Sequence, residues 1–354
     1  MAKGSILVTG ANGGLGSNIV KQIVSRPALA RDHYGLYTVR KVDSAQDAKK
    51  ALQNAQKVQH KYDLLSIDLA SRDSVRKLAA DINARVASGE VPPIRALVLC
   101  AAYQEHDQHN FTNDGFDMTF QATYLSQFLL SLLLLQSMDK ENGRIVVLGS
   151  WSHDTTDPRN KIGPFAKSYV PEEFHQIFSD PQGSTEPIAK GKWGVQRGLK
   201  QDPCAGMRRY GAAKLSQVMM MRELSRRISE DPVLSKISVL GVDPAAMISG
   251  LARRAKWYIR TMIQFLVVLG PVLTWLNPNG DLRTPWKSAG DVIHACFDTD
   301  GGLGEHPNGL YLNGTLIVDV GPEAKDDTKC RRLWQDSLEY AQIKEGDTVL
   351  ADWR

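Results

Sequence analysis

Tyr210-Gly211-Ala212-Ala213-Lys214 places a phenol and an ammonium four residues apart, and near the start of the chain Thr9-Gly10-Ala11-Asn12-Gly13-Gly14-Leu15-Gly16 follows the apolar run Ser5-Ile6-Leu7-Val8. Residues at i and i+4 of a helix are neighbours on one face, so Tyr210 and Lys214 are expected side by side. A free phenol, with a pKa near 10, shuttles protons poorly at neutral pH. A neighbouring cation stabilises the phenolate and lowers that value; reaching about 7 takes roughly 4 kcal/mol. The glycine string reads as a phosphate cradle. Gly10, Gly14 and Gly16 allow a tight turn, close approach of backbone to a pyrophosphate, and close packing of helix on strand. The free N–H groups and dipole of the following helix favour the negative charge. A dinucleotide cradle followed by a tyrosine–lysine pair is the chemistry of hydride transfer.

Short apolar runs alternate with longer amphipathic stretches, the pattern of a parallel sheet covered by helices. The runs predict strands at Ile6–Thr9, Leu36–Val39, Leu64–Asp68, Ala96–Cys100, Arg144–Leu148, Ser238–Asp243 and Leu310–Asn313. Helices are expected at Gly14–Ser25, Ser74–Ala87 (capped by Ser71 or Asp73), Thr112–Met138, Tyr210–Ser229 and Ser288–Phe297. The fold class is therefore α/β, a doubly wound parallel sheet of Rossmann type. No repeat, low-complexity tract or flexible linker divides it, and residues 1–354 read as one domain. Three stretches interrupt the alternation: a charged helical insertion at 41–61, a polar Pro- and Gly-rich insertion at 151–209, and an apolar segment within 247–285 with a basic start (Arg253, Arg254, Lys256, Arg260). Long loops in compact domains are commonly lids over functional sites.

Bulk properties narrow the classes. A formal charge of +4 over 354 residues argues against a nucleic-acid surface. Cys100, Cys204, Cys296 and Cys330 are scattered without a CxxC pair, which argues against a disulfide framework or a zinc site and for a reducing compartment; no metal is expected. The chain enters its first strand without a cationic leader and apolar stretch, so a cytoplasmic location is expected. The apolar run 262–276 is shorter than a spanning helix and is broken at Gly270-Pro271.

The glycine spacing, Gly-x-x-x-Gly-x-Gly, resembles that of the short-chain dehydrogenase/reductase family, and the resemblance runs through most of the chain. Asp68-Leu69 resembles the family's adenine-contacting pair, and Cys100-Ala101-Ala102 its fourth-strand motif, with cysteine where asparagine is common. The segment Arg144 to Ser150 is similar to the strand that ends in the catalytic serine. Tyr210 and Lys214 match the YxxxK pair. Val242-Asp243-Pro244-Ala245 resembles the Pro-Gly turn after the sixth strand, with alanine for glycine. Thr123 stands where the family commonly has an asparagine serving a water relay. The resemblance implies catalysis by Ser150, Tyr210 and Lys214 with Thr123 on the relay. It implies cofactor contacts by Gly10, Asn12, Gly14, Leu15, Gly16, Cys100, Ala101, Ala102, Tyr210, Pro244 and Ala245, with Lys214 also on the nicotinamide ribose. The insertion before Tyr210 and the C-terminal extension resemble those of fungal keto-steroid-reductase-like and secondary-metabolite reductases.

Dinucleotide sites tell their cofactors apart near the end of the second strand, where an acid receives the ribose hydroxyls of NAD and an arginine the 2′-phosphate of NADP. Here Arg40 and Lys41 follow that strand, with no acid before Asp43. The arginine's planar fork suits a phosphate, and NADP(H) is the expected cofactor. The family's specificity region corresponds to 247–285, rich in Trp257, Tyr258, Ile263, Phe265, Leu266, Val267, Leu269, Leu273 and Trp275. Its size suits a bulky hydrophobic ketone such as a sterol, terpenoid or polyketide. Ordinary helix packing, an oligomer face, and peripheral docking of 257–276 on an endoplasmic-reticulum membrane stay open; the apolar Leu125–Leu135 stretch permits a homodimer. The leading expectation is an NADPH-dependent ketone reductase or the reverse alcohol dehydrogenase. A non-redox cyclase or isomerase retaining NADP(H), and a non-catalytic NADP(H)-binding protein, are the alternatives.

Overall fold

Strands β1 (Gly4–Val8), β4 (Ile94–Leu99), β5 (Arg144–Leu148) and β6 (Ser238–Asp243) are built around buried apolar residues because helices cover both faces of the sheet. The computed structural model of the chain describes residues 2–106, 108–162, 166–180, 183–196, 198, 202–247 and 269–354. With period two, Leu7, Leu97, Leu99, Ile145 and Val147 enter one core, and Ile6, Val8, Val98, Val146 and Leu148 enter the other. Adding β2 (His33–Val39), β3 (Tyr62–Ser66), β7 (Tyr311–Asn313) and β8 (Leu316–Ile317) gives the order β3-β2-β1-β4-β5-β6-β7-β8. The pairs from β3 to β7 are parallel, and β8 closes the edge antiparallel to β7. The strand order reverses between β1 and β4, the crevice where open α/β sheets bind ligands. The doubly wound sheet expected from the sequence is thus present, with one short antiparallel edge strand that two exposed residues do not advertise.

One layer holds α1 (Gly14–Val24), the short α2 (Pro27–Asp32), α3 (Gln46–Leu52) and the helix Pro285–Phe297. The other holds α4 (Arg72–Ala87), the helix Met118–Ser137, the helix Ala205–Glu230 and the closing helix Asp327–Tyr340. Ser71 caps α4 through the Ser74 N–H. Of the charged stretch 41–61, only Gln46–Leu52 and the turn Gln56–Val58 are helical. The expected Thr112–Met138 helix begins at Met118, because the Asp117 carboxylate caps it at Phe120 N–H and Thr112 instead receives bonds across a turn to Phe116. Met118–Ser137 is long and apolar enough to cross a membrane, but it is buried in the fold. Its Leu125–Leu135 stretch is covered within the protomer: Phe128 meets Trp334 edge-on at 4.9 Å, and Tyr124 Oη lies 2.6 Å from Ser337 Oγ.

The insertion 151–209 forms turns and short helices among its described residues. Buried Arg208 ties it down by donating to Ser168 O (2.6 Å), Gly194 O (3.1 Å) and the Asp202 carboxylate, with its guanidinium over the Phe174 ring. Those bonds anchor the insertion two residues before Tyr210. The segment 248–268, with Trp257, Tyr258, Ile263, Phe265, Leu266 and Val267 and the basic residues at 253–260, lies outside the described residues.

Candidate active site

Gly10 has φ +69°, and a Cβ there would stand 2.9 Å from Ala101 Cα; a Cβ on Gly16 would stand 2.2 Å from Gly10 O. Only hydrogen fits at either place, which leaves the α1 N-terminus open at the strand-order reversal. Thr9 Oγ1 ties the ends of the neighbouring parallel strands β1 and β4 together by accepting Cys100 N–H (2.9 Å) and Ala101 N–H (3.0 Å), and Gln127 Nε2 reaches it at 3.1 Å. This shape fits a dinucleotide pyrophosphate. Asn12 holds the start of α3 instead, its Oδ1 accepting Asp47 N–H (2.9 Å) and Ala48 N–H (3.1 Å). Leu15 is buried in the core beneath the loop. Ala11 N–H donates to Thr38 O at 2.9 Å, which brings the end of β2 and the exposed Arg40 and Lys41 beside the cradle. Asp68 is exposed at the neighbouring edge, its Oδ1 accepting Ala70 N–H, while Leu69 O accepts the Ser126 hydroxyl.

Tyr210 and Lys214 lie on the helix Ala205–Glu230, both buried. Lys214 Nζ donates to Leu148 O (2.6 Å), two residues before Ser150, and to Gln217 Oε1 (2.9 Å), and it stands 5.7 Å from the Tyr210 ring centroid. A Cβ on Gly211 would lie 2.7 Å from Ser152 O, so a side chain there would push the tyrosine helix off the Ser150 segment. Lys214 thus ties the helix bearing Tyr210 to the C-terminal end of β5, the strand that leads into Ser150. Ser150 Oγ accepts the Ser152 hydroxyl (2.9 Å), and Ser150 N–H donates to Tyr311 Oη (3.1 Å).

Thr123 sits inside a π-turn, Gln121–Leu125, in the Met118–Ser137 helix. Such turns free backbone groups from the helical ladder and recur at functional sites. Its hydroxyl is committed to the β4 exit, accepting Tyr103 N–H (3.0 Å) and donating to Tyr103 O (3.2 Å). Thr123 therefore shapes the loop after Cys100-Ala101-Ala102 through its side chain.

Burial raises the Tyr210 phenol well above its usual range, and the nearby Asp243 carboxylate and Cys100 add to this. Burial lowers the Lys214 ammonium to about 8. The expected lowering of the phenol does not occur in the protein alone, because desolvation and a neighbouring acid both oppose a phenolate. A raised phenol keeps its proton at neutral pH, the form needed to protonate an alkoxide.

Three positioning groups carry no signal in the local sequence. Tyr311 pairs across from Gly241, packs on Gly149 and holds the Ser150 amide. His153 Nε2 accepts Gly321 N–H (2.8 Å), so its proton is on Nδ1, which donates to Ser150 O (2.6 Å); burial keeps the ring neutral. Arg159 stacks on Trp151 at 4.8 Å and lies 3.7 Å from Asp243 Oδ2. Only the Asp-Pro pair at 243–244 marks a turn locally; the other contacts arise from pairing distant segments.

The family model for the short chain dehydrogenase matches residues 5–161. The short-chain dehydrogenase iccH of Talaromyces variabilis is 55% identical over 363 aligned positions, covering 99% of both chains. The WW domain-containing oxidoreductase of Pongo abelii is 26% identical, covering 96% of this chain and 69% of its own. Among solved structures, the angucycline C-6 ketoreductase LanV with bound NADP superposes with a TM-score of 0.54 at 16% identity, covering 89% of this chain and 96% of its own. The glycine cradle at the strand reversal and this likeness across the whole chain make the protein a member of the short-chain dehydrogenase/reductase family.

Proposed function

We propose that the chain is an NADP(H)-dependent reductase of a bulky hydrophobic ketone. The observation that carries this reading is the Lys214 ammonium, bonded to the strand end that bears Ser150 and set against the Tyr210 ring. When bound in the cradle, a nicotinamide cofactor would supply the hydride. Ser150 donates a hydrogen bond to the ketone oxygen and orients it. Tyr210 gives its phenolic proton to that oxygen as the carbonyl is reduced, so hydride and proton together yield the secondary alcohol. Lys214 holds the ribose and, as a cation, offsets the phenolate left behind. Consumption of NADPH absorbance on adding polycyclic or terpenoid ketones, with alcohol formed in equal amount, is the expected result. Product formed without NADPH oxidation would instead mark a cyclase or isomerase.

Arg40 and Lys41, exposed beside the cradle, support the 2′-phosphate preference. Arg40→Ala is expected to weaken NADPH binding about tenfold or more and leave NADH binding within about twofold, read by titrating nucleotide fluorescence. Equal losses for both nucleotides would remove Arg40 from the phosphate site.

Residues 269–276 form a helix with Leu269, Val272, Leu273 and Leu276 on one exposed face, beside exposed Trp275. This face supports an apolar substrate delivered from a membrane surface, with the sequence's basic residues at 253–260 meeting anionic headgroups. The chain is expected to float with phosphatidylserine-containing liposomes and a variant lacking 263–275 to stay in the dense fraction; flotation of neither points to packing or substrate cover alone.

A further inference from the structure

Ala245 is one of three non-glycine residues with positive φ among the described residues, at +61°. A side chain makes that conformation costly, so something must hold it there. Most polar groups around the turn are accounted for. Pro244 O accepts the Ser288 hydroxyl (2.8 Å), Ala246 N–H donates to Asp281 O (2.9 Å), and Ala246 O accepts Arg283 N–H (2.9 Å). The remaining donor inside the turn, Ala245 N–H, goes to Asp243 Oδ1 at 2.8 Å. Asp243 is buried, and its own carbonyl is fixed by Arg283 Nη1 at 3.2 Å. Its other carboxylate oxygen faces Arg159 Nη1 at 3.7 Å. Arg159 comes from the insertion, clamped to Asp157 at 2.6 Å, 3.6 Å from Asp281 and stacked on Trp151, the residue after Ser150.

We propose that Asp243 is a positioning residue: one carboxylate oxygen pins the left-handed Ala245 turn in the shape that receives the nicotinamide, and the other anchors the Trp151–Arg159 wall of the substrate side to that turn. The two halves of the site are then registered through one side chain. This rests on the nicotinamide-cofactor reading, because it concerns how that cofactor's turn is held.

The two oxygens are separable by substitution. Asp243→Ala loses both contacts; Asp243→Asn keeps an acceptor for Ala245 N–H and loses the charge that attracts Arg159; Ala245→Gly removes the need for a pin. NADPH affinity, measured by fluorescence titration, is expected to weaken about tenfold in D243A. It should stay within about threefold of the parent in D243N, and return to that range in D243A/A245G. Ketone KM is expected to rise about threefold or more in both D243N and R159Q with kcat nearly unchanged. Unchanged NADPH affinity in D243A, failure of A245G to restore it, or a failure of D243A/A245G to fold would each overturn the proposal. Urea unfolding of the nucleotide-free proteins gives a second readout: D243A should cost more stability with alanine at 245 than in the A245G background. If the parent protein binds no nicotinamide nucleotide, the cofactor reading fails, while this cycle still reports on the pin.

Discussion

Tyr210→Phe is expected to bind NADPH as the parent does and to reduce ketones about 10²–10⁴-fold more slowly, the loss that follows removal of a general acid. The ring stays, so the packing of the Ala205–Glu230 helix on the Ser150 segment is undisturbed. What disappears is one proton at one oxygen. The proton is well retained in the protein alone, since burial and the Asp243 carboxylate both oppose its release. The reductive direction is therefore expected to persist at neutral pH, and alcohol oxidation to need alkaline conditions. Steady-state kinetics in both directions, with a nucleotide titration on the variant, decide the matter. A turnover rate in Y210F equal to the parent's would remove Tyr210 from the chemistry.

Lys214→Met is expected to lower kcat/KM about 10²–10³-fold while changing the unfolding midpoint little. The physical reason lies in two opposed terms of similar size. Burial lowers the ammonium from 10.5 to about 8, a penalty on the order of 3 kcal/mol that methionine does not carry. Against that, Leu148 O and Gln217 Oε1 lose their donor, a cost of about 1–3 kcal/mol for buried acceptors. The pH dependence separates function from stability. Ketone reduction should fall as pH rises through about 8, because the folded protein then loses the cation. Stability should move the other way: between pH 8 and the ordinary lysine value the unfolded chain binds the extra proton, so unfolding free energy from this group climbs with pH across that window. In K214M both slopes vanish. A parent protein whose ketone reduction stays flat from pH 7 to about 10 would contradict the buried-cation role.

The sequence alone determined what depends on local repetition. Burial on both strand faces requires apolar runs, so β5 and β6 are legible to the residue, while β1 and β4 each begin two residues before the expected strand and end one before its last residue. A turn that admits no Cβ requires glycine, so Gly10 and Gly16 announce the cradle. Helical geometry makes Tyr210 and Lys214 neighbours whatever surrounds them. Tertiary structure decided how these pieces are held. Tyr311 reaches the Ser150 amide across a gap of 161 residues, His153 joins Gly321 across 168, and Arg159 meets the Asp243 turn from another element. The Asp327–Tyr340 helix packs on the apolar Met118–Ser137 helix, Trp334 against Phe128 and Ser337 against Tyr124. No periodicity encodes such meetings, because each depends on which surfaces the sheet order brings together, and that order is fixed only when the distant strands pair.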